Sequence, residues 1–421
     1  MIDYAHALER LLAQIDKLPM ETCALDDAAG RVLADAIISP IALPSFDHAA
    51  MDGYALSTST PLVAGSEHIV HGSQAAGDVA RQVEAREGEH GACEIMTGAS
   101  LPEGLDAVVA VERTECVATG TDGMPARIRL LDPLYAGENV RYAGSDVVQG
   151  APLLAAGTRI ASAQIMLLAA LGIASVPVVG RPRVAVICTG KELQADLARP
   201  LSADRIHNSN GPYLVAALSA AGARVLACET VDDTAVTYAD ALQRAIDTGV
   251  DMVISTGAVS MGRYDFVPDA LRRFHAQPLF HKVAIRPGKP LLAARLANGP
   301  LIIALPGTPM AVAAGLRFMV IPALRKMGGQ RHETAMHAVL DTPQQPKAGL
   351  RHFLRANLQQ HADGQMHVTV PEQQQPFRIR PFADADVWVV LPEDAGDCPA
   401  GTRVQVVGVE PGGHPHFGTA H

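Results

Sequence analysis

The stretch Asp251–Phe266, DMVISTGAVSMGRYDF, sets the architecture. It opens on a short apolar run, the pattern of a strand buried on both faces. It then turns through a loop spaced by Gly257 and Gly262, and ends on Asp265 between Tyr264 and Phe266. Two other segments share this layout: VICTGKEL (Val186–Leu193) and IALPGTPMAV (Ile303–Val312). Between and beside them the chain alternates helical and strand patterns. GPYLVAALSAAGA, AVTYADALQRAID, VPDALRRF and MAVAAGLRFMVIPALRKM read as helices, and RVLACETV, KPLLAARL and PLIIALPG as strands. Apolar strands joined by crossover helices predict a parallel sheet covered on both faces, over residues 181–328.

In such sheets the carboxyl ends of the strands line the ligand crevice. Glycine there lets backbone N–H groups approach an anion, and the following helix offers its positive end. Three such loops on one edge point to a phosphate or nucleotide. The binding candidates are Thr189, Gly190, Ser255, Gly257, Ser260, Gly262, Pro306 and Gly307. There is no G-x-x-x-x-G-K-[ST] loop and no G-x-G-x-x-G fingerprint, which argues against a P-loop NTPase or a common dinucleotide enzyme. Glu192, Asp232, Asp233 and Asp265 lie beside the loops, and hard carboxylate oxygens suit Mg²⁺ better than zinc. Asp232 and Asp233 fit helix capping equally well. HKVAIRPGKPLLA places Lys282, Arg286 and Lys289 within eight residues around a rigid turn. In an extended segment Lys282 and Arg286 share a face, a suitable hold for a small oxyanion.

Outside the α/β region the texture changes. Residues 1 to about 25 read as helical, with Leu8, Leu11, Leu12 and Ile15 on one face. Residues 27–143 alternate short β-rich runs such as AVVAVERTECV with Gly and Pro turns. In this region Asp52, in Met-Asp-Gly-Tyr, sits on a common turn dipeptide. IASAQIMLLAALGIASVPVVG (Ile160–Gly180) reads as a short buried helix between an N-cap at Ser162 and a stop at Gly172, then a strand. Residues 1–26 and 144–180 together predict a helical linker domain. Residues 329–421 predict a small C-terminal β domain or barrel. The tail histidines His414, His416 and His421 fit a frayed terminus as well as a metal.

The chain has 421 residues, 34 basic and 44 acidic, for a formal net charge of −10. That balance argues against a nucleic-acid partner. Six scattered cysteines without a C-x-x-C pair suit a reducing compartment. The N-terminus has no signal-peptide layout. The expectation is a cytoplasmic protein with no membrane partner.

Together these residues resemble the MoeA and gephyrin E-domain family, the molybdopterin molybdenumtransferases. The resemblance is carried in order by FDHAAMDGYA, IMTGASLPEG, GENVRYAGSD, TGKEL, VISTGAVSMGRYDF, VAIRPGKP, LPGTP and FLRANL. It implies an elongated, multi-domain subunit with a parallel-sheet α/β (MogA-like) domain, acting as a homodimer. The reaction implied is insertion of molybdate into adenylylated molybdopterin, with Mg²⁺-dependent pyrophosphate hydrolysis and release of AMP. Implied partners are the molybdopterin adenylyltransferase and other cofactor-pathway proteins.

Carried over by position, Asp52, Thr97 and Asp146 match motif residues that reach across the dimer. Glu192 and Asp265 match acids that hold Mg²⁺ or orient a water, with Asp232 a further metal candidate. Lys282, Arg286, Lys289 and Arg355 match the basic positions near molybdate and phosphate. The chain departs from the family pattern at Lys191, Ala258, Arg263, Thr308 and Pro376, the last at the serine position of Q-G-S. Lys191, Arg263 and Pro376 motivate another reading, a divergent paralogue that binds cofactor or nucleotide as carrier or sensor; the resemblance to the gephyrin E domain also implies a third, a dimeric scaffold that holds partner proteins. Tungstate in place of molybdate is indistinguishable by sequence.

Overall fold

Met252–Thr256 is buried at every residue and lies inside a six-stranded sheet. The order across the sheet is Arg224–Val231, Arg183–Thr189, Met252–Thr256, Leu301–Leu305, Leu292–Arg295, Gln277–His281. The first four strands are parallel. Leu292–Arg295 runs antiparallel to both its neighbours, unlike the all-parallel expectation, and Gln277–His281 beyond it runs again with the first four. Loop length is the reason: residues 296–300 alone join Leu292–Arg295 to Leu301–Leu305. A parallel crossover needs about a dozen residues.

The structure is a computed structural model that describes residues 1–80, 82, 91–260, 266–362 and 364–410. They form two compact units. One contains Met1–Ala34, Gly157–Ala161 and the described chain from Val176 onward, and the other Asp35–Ala156 and Ser162–Ser175.

In the first unit, side-chain alternation sends the sheet's apolar residues to two cores. Val184, Val186 and Cys188 pack with Leu214, Leu218 and Met310. Ala185, Ile187 and Val253 pack with Tyr238 and Leu242 of the helix Ala235–Asp247. The chain leaves Arg183–Thr189 for Arg224–Val231 on one side and returns to Met252–Thr256 on the other. That reversal makes the ends of Arg183–Thr189 and Met252–Thr256 the topological switch point, where open sheets bind ligands.

The predicted helix after LPGTP forms as Pro309–Gly315, one wider π turn over Leu316–Val320, and Ile321–Met327. Pro322 has no N–H to give the Phe318 carbonyl. The Tyr4 hydroxyl donates to that carbonyl instead, at 3.0 Å. Tyr4 begins the N-terminal helix Tyr4–Leu12, capped by Asp3, with Ala7 and Leu11 buried. At 9 residues this helix is about a third of the predicted length. Pro19 precedes a strand, Met20–Ala24, and a residue before proline is held out of the helical region.

The C-terminal strands Met336–Leu340, Arg351–Gln360, Met366–Thr369, Val387–Leu391 and Arg403–Gly408 close into a five-stranded barrel. Closure is possible because the long strand Arg351–Gln360 pairs with Met366–Thr369 near its end and with Val387–Leu391 near its start. Leu340, Leu358, Val368, Val389 and Val406 fill the interior.

In the second unit a six-stranded sheet runs in the order Ala107–Ala110, Gly53–Leu56, Gly91–Ile95, Glu67–Gln74, Pro125–Leu130, Thr114–Thr119. The helix predicted after Ile160 forms over Ser162–Ala170, but it is not buried: only Leu168 is, and Met166 is 76% exposed. Gly172 follows it at φ +70°. Among the described residues, no helix is long and apolar enough to cross a membrane.

Gly53 is a packing requirement rather than a turn residue. It begins a central strand, and a Cβ there would lie 1.8 Å from the Val109 carbonyl oxygen. Gly53→Ala is therefore expected to cost about 3 kcal/mol or more, read as a fall in the thermal midpoint by circular dichroism. An unchanged midpoint would contradict this packing.

Candidate functional site

Three predicted loops meet at the carboxyl ends of the parallel strands. Thr189 is buried and donates its hydroxyl to the Thr256 carbonyl at 3.1 Å. Gly257 sits against it at φ +94°, where a Cβ would be 2.6 Å from Thr189 Oγ1 and 2.7 Å from Thr189 O. The Gly257 N–H donates to the Leu305 carbonyl at 3.0 Å. A Cβ on Gly307 would stand 3.6 Å from the Gly257 Cα. TGKEL, TGAVS and LPGTP thus form one surface. Pro306 is half-buried in it, and Gly307 and Ser260 are exposed. Ala258 takes a left-handed φ of +49°, a conformation that favours glycine.

Gly190 donates its N–H to the Val231 carbonyl at 3.2 Å, which brings the Glu192 loop beside Asp232. The Glu192 carboxylate lies over Gly190, its Oε1 2.8 Å from where a Cβ would stand. Glu192 and Asp232 are both exposed. Asp232 does not cap the following helix. Thr234 does, its side chain accepting from the Thr237 N–H. Ser255 is placed differently from expectation. It is fully buried, and its hydroxyl accepts from Tyr238 at 3.4 Å, because strand alternation turns it into the core. Gly262, Arg263 and Asp265 lie outside the described residues.

Two residues of this surface escaped the sequence reading. Asn210 is buried and donates its side-chain amide to the Gly307 carbonyl at 2.8 Å. Asn208, also buried, donates to Thr230 Oγ1 at 2.9 Å and accepts from the Gly211 N–H at 3.0 Å. The signal was there, in two asparagines bracketing a serine at a helix start.

The basic run is not extended. Lys282 adopts φ +69°, and the Val283 N–H donates to the Lys289 carbonyl at 2.9 Å, closing a turn. The four-residue spacing of Lys282 and Arg286 therefore does not place them on one face. Lys282 is half-buried, and Arg286 and Lys289 are exposed. Ile285–Arg286 pairs with the barrel strand at Arg351–His352. Arg286 lines a cavity of about 450 Å³ with Lys347, His352, Glu372, Gln374 and Pro376. Burial, with the Arg286 charge adding, holds the His352 pKa below the ordinary histidine value.

Arg355 is no exposed cation. It is 1% exposed, and its nitrogens donate to the Arg378 carbonyl at 2.6 Å, the Gln373 carbonyl at 2.7 Å and Gln374 Oε1 at 3.4 Å. It clamps the segment that carries Pro376. The Pro376 carbonyl in turn accepts from the Met310 N–H at 3.0 Å, at the start of the helix after LPGTP.

The second unit gathers its own motifs. Asp52 Oδ1 accepts from the Thr97 N–H at 2.7 Å and from the Thr97 hydroxyl at 2.8 Å. The N–H bond, then the hydroxyl, hold the Asp52 pKa below the ordinary aspartate value. Ala49 exchanges backbone bonds with Ala99 and Gly98, and the Ala143 N–H donates to Asp47 Oδ1 at 2.7 Å. FDHAAMDGYA, IMTGAS and NVRYAGSD therefore form one polar surface. Asp146 is exposed on it, its N–H on the Leu43 carbonyl at 3.0 Å.

Fold and site define a multi-domain protein built on a doubly wound α/β domain whose strand edge gathers three small-residue loops. Three family models cover the chain in order: the MoeA N-terminal region (domain I and II) over residues 2–172, a probable molybdopterin binding domain over 185–326, and the MoeA C-terminal region (domain IV) over 337–408. The chain belongs to the MoeA family. The molybdopterin molybdenumtransferase of Synechococcus elongatus is 34% identical over 417 residues, covering 96% of this chain and 99% of that protein. The Bacillus subtilis protein of the same name is 34% identical over 92% of this chain and 89% of its own length. A crystal structure of the molybdopterin biosynthesis moeA protein from Pyrococcus horikoshii matches with a TM-score of 0.78 and 26% identity, covering 96% of this chain and 99% of that one.

Arg355 and Arg286 should separate in a urea titration. Arg355→Ala orphans buried carbonyls and is expected to cost about 2–4 kcal/mol, whereas exposed Arg286→Ala should stay within about 0.5 kcal/mol. Equal, small effects would show that Arg355 is not a clamp.

Proposed function

We propose that this chain inserts molybdate into adenylylated molybdopterin, hydrolysing the pyrophosphate with Mg²⁺ and releasing AMP. The observation that carries this reading is the single surface formed by Thr189–Gly190, Gly257 and Gly307 at the switch point, in a chain matched by MoeA relatives along its length. Its small residues leave room for a pyrophosphate to approach the loop backbone closely. Glu192 and Asp232 supply exposed carboxylate oxygens on neighbouring loops, a donor set of the hard kind that Mg²⁺ takes. Asp265 is proposed as a third acid.

The ion, when bound, polarises the pyrophosphate and neutralises charge on the departing AMP. Glu192 orients the hydrolytic water. Arg286, Lys347 and the flanking Lys282 and Lys289 draw molybdate by charge-assisted hydrogen bonds. The active form is proposed to be a cytoplasmic homodimer. The helix Ser162–Ala170 supports this, because a helix apolar all round is normally covered while Met166 is 76% exposed. Asp52, Thr97 and Asp146 are then the groups offered to the partner's site. The four-domain division, 1–26 with 144–180, 27–143, 181–328 and 329–421, belongs to the same proposal.

A second reading rests on Lys191 and Pro376. A cation replaces an acid beside Glu192, and the Pro376 carbonyl occupies the Met310 N–H. These changes suit a carrier or sensor that holds cofactor or nucleotide without turnover.

AMP release by the purified protein decides between them. Release requiring both molybdate and Mg²⁺, reduced at least 100-fold in Glu192→Ala with the thermal midpoint unchanged, is the expected result. Substrate that stays bound and intact would overturn the transferase reading in favour of the carrier.

A further inference from the structure

The C-terminal barrel carries a group of side chains that the strand-end chemistry does not use. Val339 pairs with His367, and Gln359 pairs with His367 from the other side. Leu340, Leu358 and Val368 point into the barrel. Alternation therefore puts Asp341, two residues beyond Val339, on the outer face with His367 and Thr369. His361, two residues beyond Gln359, starts the hairpin turn beside them. Its N–H donates to the Gln365 carbonyl at 2.9 Å, and the Gly364 N–H donates back to the His361 carbonyl at 2.9 Å.

The result is a compact donor set. One ligand atom from each of Asp341, His361 and His367 lies within 4.8 Å of the other two. The two imidazoles stack with centroids 3.7 Å apart and planes 1° from parallel. Asp341 Oδ1 is 2.8 Å from His367 Nδ1, and Asp341 Oδ2 accepts from the Thr369 hydroxyl at 2.9 Å. The Asp341 N–H donates to the Val368 carbonyl at 3.0 Å, fixing the carboxylate's base.

We propose that Asp341, His361 and His367 form a binding site for a divalent transition metal ion of the zinc class on the outer face of the barrel. Bonds of about 2.0–2.1 Å in a tetrahedron place ligand atoms about 3.3 Å apart. The Asp341–His367 contact is already near that edge, so the metal takes the place of the proton between them, and the neutral His367 imidazole carries its one N–H on Nε2. His361 closes by a side-chain rotation on an exposed turn. Thr369 holds the outer carboxylate oxygen, as groups around a metal's ligands commonly do. Two imidazoles and a carboxylate exclude the hard-oxygen preference of Mg²⁺ and match zinc, nickel or cobalt. The fourth position is left for water or an outside ligand.

The test uses the full chain, stripped with EDTA and titrated with Co²⁺, read by visible absorption, and with Zn²⁺ by calorimetry. The tail histidines His414, His416 and His421 are a competing source of ligands, so three variants are compared with the parent: His361→Ala, Asp341→Asn, and His414→Ala/His416→Ala/His421→Ala. The expected result is one saturable equivalent in the parent and in the tail variant, with affinity at least 10-fold weaker in His361→Ala and Asp341→Asn. Both single changes are on exposed side chains, and the circular dichroism spectrum should not move. Binding that survives both single changes and disappears with the tail histidines would overturn the proposal, as would no saturable binding in the parent.

Discussion

The strand edge depends on one close approach, the Gly257 backbone against Thr189. A Cβ at Gly257 would stand 2.6 Å from the Thr189 hydroxyl oxygen and 2.7 Å from its carbonyl oxygen, so a side chain there would force the two loops apart. With glycine in place, the Gly257 N–H reaches the Leu305 carbonyl and Gly307 comes alongside. Strands buried at every residue on either side supply the rigidity that holds this geometry. Asn208 and Asn210 complete it from below, tying Thr230 and Gly307 to the start of the helix Asn210–Ala220. Buried amides that are fully engaged specify one arrangement, and partly engaged they would be costly.

Among the described residues, three departures from the family pattern, Lys191, Ala258 and Thr308, lie in the loops of this edge, and Pro376 bonds to the helix that follows it. Ala258 keeps a left-handed backbone at φ +49° where the pattern has glycine, so the loop conformation survives the loss of the residue that most easily adopts it. Pro376 contributes only a carbonyl, and that carbonyl is spent on the Met310 N–H. Arg355, which holds the same segment, is buried with its nitrogens on neutral acceptors. Burial lowers its pKa from the ordinary arginine value. On this side the exposed cations Arg286 and Lys347 line the cavity of about 450 Å³.

The strands, the crossover helices and the three glycine loops were legible because each is a local pattern: an apolar run, a helical period, a turn residue. The barrel was legible for the same reason. What the sequence did not show depends on partners distant in the chain. Arg355 reads as a free cation until its strand is seen to turn it toward residues 373–378. Ser255 reads as a loop hydroxyl until strand alternation turns it toward Tyr238. Leu292–Arg295 has the texture of a parallel strand, and only the five-residue connection after it decides otherwise. The helix Ser162–Ala170 reads as buried because its residues are apolar, yet within this chain only Leu168 is covered.

The central claim is that adenylylated molybdopterin is held by the strand-end loops. Amide hydrogen exchange, with and without that ligand, tests it most directly. The account predicts slowed exchange over residues 189–192, 257–260 and 307–310, with the barrel strands Met336–Leu340 and Arg403–Gly408 unchanged. Slowing confined to the barrel, with the three loops unaffected, would contradict it.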